Sequence, residues 1–384
     1  MSARAPQVTA ATNVTSDVVI IGGGLMGSAC AWQLARAGLS VIVLEKSVPG
    51  AEASSAAAGI LGAHAEAHGP GPMADLLLSS LRRYPGWATE LSRETGIDVE
   101  FRRSGILRVG RDRAALERIE SETAWLSALG RSAKVIDASA LRKLEPSLAE
   151  AAGGVLFEED ARVDPRLLFR AVHVAAQRAG ARFETGAYVR RIVVEGDAVR
   201  GVEVEGDRVY AAKIVVVAAG SWSTLVPGAP LAERAVIPAR GQVVELDTPM
   251  PPLAHVVMGP RCYLVPRDDG RVLVGATLEF VGYRREVTAR AVRDLLDAAI
   301  ELVPALGDAS LRASWSNFRP YTKDELPVLG TSSVRGLLFA TGHYRNGILL
   351  APITAEIVRT LVTGETPPVD VSPFQASRLD EGAG

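Results

Sequence analysis

The six residues Gly22-Gly23-Gly24-Leu25-Met26-Gly27 constrain this chain more than any other feature. They follow an apolar, β-branched run at 17–21 and open a helical pattern over 25–37, after which residues 40–45 are apolar again. That is a strand, helix, strand unit. Parallel strands joined through a helix take a right-handed crossover, so the glycine loop lies at the carboxyl edge of a parallel sheet, where small molecules bind. The spacing G-x-G-x-x-G lets backbone amides approach a pyrophosphate at the positive end of the helix. Glu45, eighteen residues past Gly27 at the end of the second strand, can accept hydrogen bonds from a ribose diol. The alternatives are a glycine turn that serves packing alone and an acid that is simply exposed at a strand end.

The rest of the chain has room for more than this unit, since 384 residues at roughly 150 per domain make two to three domains. Lys and Arg number 42 against 44 Asp and Glu, a formal charge of -2 that argues against nucleic-acid binding through counterion release. Two cysteines, Cys30 and Cys262, stand far apart and outside zinc spacing, which excludes a disulfide framework. His64 and His68, four apart around Glu66, offer a metal pair without an evident third ligand, so no metal is expected. No apolar run approaches the roughly 20 residues of a membrane span, and no signal-peptide core is visible near the start. The expectation is a soluble, cytoplasmic protein without membrane or nucleic-acid partners, in which the sequon Asn13-Val14-Thr15 has no role.

Helical periodicity recurs at 73–95, 113–129, 164–178, 287–302 and 347–362, with Asp164 as N-cap and Pro165 at the first helical position of the third. β-type runs occupy 189–195, 199–205, 213–218, much of 236–277 around a Pro-rich turn at 249–252, then 310–316 and 337–341. No period of 20 to 50 residues repeats, which excludes solenoids and propellers. The predicted fold class is α/β: a Rossmann-like, doubly wound, mostly parallel sheet domain with an inserted α+β domain built on an antiparallel sheet. The nucleotide domain takes 16–90, 150–225 and 318–363, and the inserted domain takes 91–149 and 226–317. Residues 1–15 and 364–384 read as loosely ordered tails.

The glycine fingerprint does not by itself separate NAD from FAD, because both present an ADP half to such a loop. Residues 53–66, Ala53-Ser54-Ser55-Ala56-Ala57-Ala58-Gly59-Ile60-Leu61-Gly62-Ala63-His64-Ala65-Glu66, are small enough to pass close beside a bulky planar group, or to form a flexible linker. Arg319, between a β-type run and Pro320, is held on a short rigid segment where a guanidinium can pair both oxygens of a carboxylate, or make a structural salt bridge. Tyr263 offers a phenol to the same carboxylate, or is simply core. The first amides of the helix at 347–362 carry partial positive charge, and Gly347 permits close approach to them. No Ser-His-Asp or Cys-His arrangement is convincing.

Four stretches together carry a resemblance. The small-residue run, Cys262-Tyr263-Leu264-Val265-Pro266-Arg267, Phe318-Arg319-Pro320-Tyr321-Thr322-Lys323-Asp324, and Gly342-His343-Tyr344-Arg345-Asn346-Gly347-Ile348-Leu349-Leu350-Ala351-Pro352 are similar to the glycine oxidase branch of the FAD-dependent D-amino-acid oxidase family over about residues 17–363. The resemblance implies FAD and oxidation of glycine, sarcosine or small D-amino acids to the imine. Oxygen would be the acceptor and hydrogen peroxide the product, with a possible place in thiamine thiazole synthesis and a homotetrameric assembly. It assigns Arg319, Tyr263 and Arg345 to substrate and flavin, although Arg345 could instead cap the helix or pair between domains. It places Ile60, Arg261, Leu278 and Tyr321 in the substrate pocket. To the cofactor it assigns Gly22, Gly24, Leu25, Met26, Gly27, Glu45, Lys46, Ala53, Ser54, Ala58, Gly59, Ile60 and Val189. The last strand-to-helix turn adds His343, Tyr344, Arg345, Asn346, Gly347, Ile348 and Leu349. In such chemistry the amine reacts as the neutral base, hydride passes from the α-carbon to flavin N5, and no general base is expected.

Departures from the family pattern concern the substrate. Arg261 stands where histidine is common, Tyr321 where glycine is usual, and Ile60 and Leu278 where methionine can line the pocket. No cysteine sits beside Arg319-Pro320-Tyr321, so the flavin is expected to be bound non-covalently. Three other readings stay open: a D-amino-acid dehydrogenase that passes electrons to a quinone or partner protein, a non-catalytic flavin-binding subunit, and an NAD-dependent dehydrogenase.

Overall fold

A computed structural model describes residues 13–128, 130 and 133–379. Its organising element is a six-stranded sheet in the order Val328–Thr331, Leu337–Thr341, Ile214–Val217, Val18–Ile21, Val41–Glu45, Arg182–Thr185. Every neighbouring pair is parallel except the first, where Val328–Thr331 runs antiparallel. The run at 18–21 is apolar at every position because both faces are covered. Val18 and Ile20 face helices Leu25–Arg36, Pro72–Thr95, Pro165–Arg178 and Gly347–Thr363. Val19 and Ile21 face a small second layer formed by Val189–Glu195, Ala198–Val204 and Arg208–Ala211. All four are at most 4% exposed, and burying each contributes roughly 1.5–3 kcal/mol.

An eight-stranded sheet forms the second body, in the order Ser310–Tyr321, Ile237–Asp247, Arg271–Gly275, Tyr263–Pro266, Val256–Met258, Ile106–Gly110, Gly153–Phe157, Lys134–Asp137. It is antiparallel apart from the pairing of Val256–Met258 with Ile106–Gly110. One face, with Val244, Leu264 and Val274, packs against Leu295, Ala299 and Leu302 of helix Ala289–Leu302. The opposite face, with Val243, Val265 and Leu273, packs in part against Leu116, Ile119 and Leu126, and in part, through Tyr263 and Gly275, lines a cavity. Gly153–Phe157 belongs to this sheet although it falls in the 150–225 stretch, and the border at 317 cuts Ser310–Tyr321 internally. Apolar pattern alone could not assign those strands, because their partners come from distant parts of the chain.

Local chemistry explains the helix ends. The Asp164 carboxylate accepts the amides of Arg166 and Leu167 at 2.8 and 3.0 Å. Thr288 caps the helix that the pattern began at 287. The pattern at 113–129 divides into Arg113–Thr123 and Trp125–Ala128, with Thr123 Oγ1 donating back to the Ile119 carbonyl, and position 129 lies outside the described residues. Pro352 has no N–H to offer the Ile348 carbonyl, and the Tyr84 hydroxyl donates to that oxygen instead, docking the long helix onto the final one.

Both predicted tails need correction within the described residues. Asn13–Thr15 is a strand parallel to Arg208–Ala211, while residues 1–12 lie outside the description. Beyond Gly364 the chain folds back, burying Phe374 and tying Arg378 to Asp324 at 2.7 Å, with 380–384 outside the description. Among the described residues no helix is long and apolar enough to cross a membrane.

Candidate active site

A cavity of about 670 Å³ lies between the carboxyl edge of the parallel sheet and the part of the antiparallel one that carries Gly241, Val243, Tyr263 and Gly275. At its first end, the glycine loop is drawn tightly over the sheet. A Cβ on Gly22, at φ +107°, would stand 2.6 Å from the Ala218 carbonyl, and one on Gly27 would stand 1.9 Å from the Gly22 carbonyl. Gly27 therefore sets helix-to-strand approach and does not itself line the cavity, whereas Gly22, Gly24, Leu25 and Met26 do. Ser54 Oγ accepts the Leu25 amide at 2.9 Å, which fastens the small-residue run to the helix N-terminus. The Glu45 carboxylate takes the amides of Gly23 and Ser47 at 2.9 and 2.8 Å and still borders the cavity, with Lys46 and Val189 beside it. Lys46 Nζ lies 4.4 Å from the centre of the Trp222 ring, an aromatic wall the sequence reading did not assign.

Midway, Ala53, Ala58, Gly59 and Ile60 form one wall, and His343, Tyr344, Arg345, Gly347 and Ile348 form the other. Gly347 begins the final helix, and a Cβ there would meet no protein atom closer than 3.6 Å. The protein's own packing thus does not require glycine at 347, and the room opens on the cavity. His343 is buried, contacts Thr354 Oγ1 at 3.0 Å through Nε2, and burial pushes its imidazole down to about 3, so it is neutral. Two residues assigned to the cofactor stand behind the wall. Asn346 is buried under the turn and donates its amide to the His343 carbonyl, and the Leu349 carbonyl accepts Ser80 Oγ at 2.6 Å.

The far end is made by the register of the antiparallel sheet. Tyr263 stands directly opposite Gly275, and Arg319 opposite Ala239 with Gly241 diagonal to it. Each glycine makes the space its neighbour fills. A Cβ on Gly275 would stand 2.3 Å from the Tyr263 hydroxyl, and one on Gly241 would stand 2.4 Å from Arg319 Nη1. Arg319 Nη1 donates to the Thr277 carbonyl at 3.0 Å. Among the described residues, no carboxylate lies within ion-pair distance of Arg319, whereas three other arginines of the cavity wall each have one. Arg108 pairs with Glu122 at 2.6 Å, Arg261 with Glu301 at 3.0 Å, and Arg345 with Glu325 at 3.6 Å. Burial pushes the Tyr263 phenol up, and the Arg319 guanidinium beside it holds that shift back.

Several assignments are refined here. Arg261 is half exposed at the rim and bound to Glu301, so its charge is compensated. Leu278 lines the cavity, but Tyr321, the last residue of its strand and opposite Ile237, does not: its ring packs 5.0 Å from both Phe280 and Tyr344. Arg345 pairs with Glu325 inside the 318–363 stretch rather than between domains, and also lies 4.7 Å over the Tyr344 ring. His64 is committed to Asp160, Nδ1 to Oδ1 2.7 Å, and among the described residues no cluster of three metal-binding side chains stands together. Cys262 touches the cavity, but burial pushes its thiol up to about 12. The reading missed Gly241 and Gly275, although an isolated glycine within a strand signals close approach. It also left Glu66, inside the quoted small-residue run, without a role.

A glycine-loop edge suited to a nucleotide and an unpaired cation at Arg319 share one cavity, which defines a nucleotide-binding protein with a second, cationic niche. The comparisons narrow that class, for residues 17–361 match the FAD dependent oxidoreductase family, and this chain belongs to it. The glycine oxidase of Geobacillus kaustophilus is 35% identical over 366 residues, covering 94% of this chain and 97% of that protein. A crystal structure of glycine oxidase from that organism superimposes with a TM-score of 0.91 at 34% identity, covering 97% of this chain and 100% of the other. The bifunctional protein ThiO/ThiG of Synechocystis is 38% identical over 373 residues, which are 95% of this chain and 54% of that longer protein. The fold is thus the FAD-binding one expected, and the protein is an FAD-dependent oxidoreductase.

Proposed function

We propose that this protein oxidises glycine and other small primary or secondary amines, sarcosine and small D-amino acids among them, to the imine. The observation that carries the reading is Arg319: a guanidinium on the cavity wall, beside the Tyr263 phenol, with no protein carboxylate to neutralise it among the described residues. A substrate carboxylate supplies that partner through two parallel N–H···O bonds. The residues present suit FAD. Gly22, Gly24 and Met26 leave the helix N-terminus open to a pyrophosphate, Glu45 faces a ribose, and Lys46 and Val189 border the adenine end. Ala53, Ser54, Ala58, Gly59, Ile60 and the amides at Gly347 and Ile348 surround the ring system.

FAD, when bound, supplies the acceptor for the Cα–H hydride and hands the electrons to oxygen, giving hydrogen peroxide. The chain's part is to hold the carboxylate at Arg319 and Tyr263 so that the α-carbon lies over the ring, and to place the positive helix end where negative charge grows. Cys262 and Cys30 are both buried thiols pushed up to about 12, which supports non-covalent attachment. The reading includes delivery of the imine to thiamine thiazole synthesis, a cytoplasmic location and a homo-oligomer, which sedimentation would measure. Anaerobic titration of the purified protein with glycine should bleach the flavin band near about 450 nm, and air should restore it with release of peroxide. A yellow protein that glycine, sarcosine and D-alanine all fail to bleach rejects the reading.

A further inference from the structure

Two unmated charges line the same cavity. One is Arg319. The other is Glu66, whose carboxylate has no hydrogen-bond or ion-pair partner among the described residues, and which stands beyond ion-pair distance of every arginine around it. Arg108 and Arg345, whose charges reach Glu66, are already paired with Glu122 and Glu325. The acid is also firmly placed. Asp160, fully buried, accepts the amides of His64 and Ala65 at 3.1 and 2.9 Å and the His64 ring at 2.7 Å, and the Glu66 amide closes a turn onto the Gly62 carbonyl at 3.0 Å. A half-buried carboxylate that faces the cavity from a fixed stretch of backbone, with no partner of its own among the described residues, is placed for a ligand cation.

We propose that Glu66 receives the substrate's ammonium group and takes from it the proton that must leave nitrogen before oxidation. This rests on the amine oxidase reading above and adds a proton acceptor where the family pattern required none. The zwitterion then spans the cavity with its carboxylate on Arg319 and Tyr263 and its nitrogen on Glu66. In the step, one N–H bond breaks and one O–H bond forms on the Glu66 carboxylate, while the electron pair stays on nitrogen. That pair enters the C=N bond as the Cα–H pair departs as hydride to FAD.

The electrostatics agree. Burial pushes the Glu66 carboxyl up to about 7, with Asp160 adding to the shift and Arg345, Arg319 and Arg108 opposing it; Tyr263 is the remaining titratable group that feels Glu66. A carboxylate tuned near neutrality is suited to accept a proton at working pH.

The test uses FAD-loaded enzyme and two probes that differ only in the amine, glycine and acetate. In the wild type, acetate binding, read from the flavin spectrum, should tighten several-fold as pH falls through about 7, while kcat/KM for glycine falls over the same range. Glu66→Gln should abolish the acetate dependence and move the glycine limb from about 7 up to the substrate ammonium's own range, lower kcat/KM for glycine roughly 10- to 100-fold at pH 8, and leave acetate binding as tight or tighter. Glu66→Asp should restore the pH limb. An acetate dependence or a glycine limb that stays near pH 7 in Glu66→Gln, or a wild type in which acetate and glycine respond to pH in the same direction, overturns the assignment and leaves the oxidase reading standing. Wild-type flavin that glycine, sarcosine and D-alanine all fail to bleach ends both.

Discussion

The two ends of the cavity solve recognition by opposite means. The nucleotide end is made of backbone: a glycine loop, a helix N-terminus and amides that any residue would supply, given room. The far end, where we propose that substrate binds, is made of side chains, Tyr263, Arg319 and Glu66, each delivered from a different strand or loop and each given space by a neighbour lacking one. Backbone recognition needs contiguous small residues and tolerates no added atom. Side-chain recognition tolerates small shifts of its framework and fails when one charged group is lost.

That contrast can be broken most severely at Gly27. Gly27→Ala places a methyl 1.9 Å from the Gly22 carbonyl, and the purified protein should contain no flavin, as the ratio of visible to ultraviolet absorbance would show. Arg319→Ala is the counterpart at the other end: FAD should remain bound while kcat/KM for glycine falls roughly 10³-fold, the loss of a paired, charge-assisted contact. Retained turnover would mean that the clamp lies elsewhere. Gly241→Ala sharpens the difference further, because its methyl meets the far end of a flexible Arg319 side chain rather than backbone. It should raise KM roughly tenfold with flavin content unchanged, which steady-state kinetics on yellow protein would establish.

Smaller effects follow from charge. A carboxyl raised from 4.5 to about 7 by folding binds its proton more tightly in the native state than in the unfolded one. The native state is therefore favoured below pH 4.5, and that advantage is lost as pH rises through about 7. Glu66→Gln should stabilise the flavin-free protein above pH 7 by at most about 3 kcal/mol and change little near pH 4, as denaturant titration at the two pH values would reveal. Arg261→Ala should alter kcat/KM for glycine less than about twofold, since that guanidinium is solvated and already bound to Glu301.

The nucleotide end was legible because its signal is local. Gly22 to Gly27, the flanking apolar runs and Glu45 lie within thirty residues and state their structure by periodicity and by the need for close backbone approach. Arg319 and Tyr263 could be named only with a family resemblance beside them, for a lone arginine or strand tyrosine has many uses. The sequence by itself determined the strand-helix-strand unit, the cap at Asp164, and the residue types available for a carboxylate clamp. Tertiary structure alone decided which of them meet. Strand register set Tyr263 over Gly275 and Arg319 beside Gly241, Glu301 neutralised Arg261 from forty residues away, and Phe280 and Tyr344 took up the Tyr321 ring away from the wall. Only the fold left Arg319 and Glu66 unmated across one cavity, because the partners of every charge come from long-range packing that no local pattern encodes.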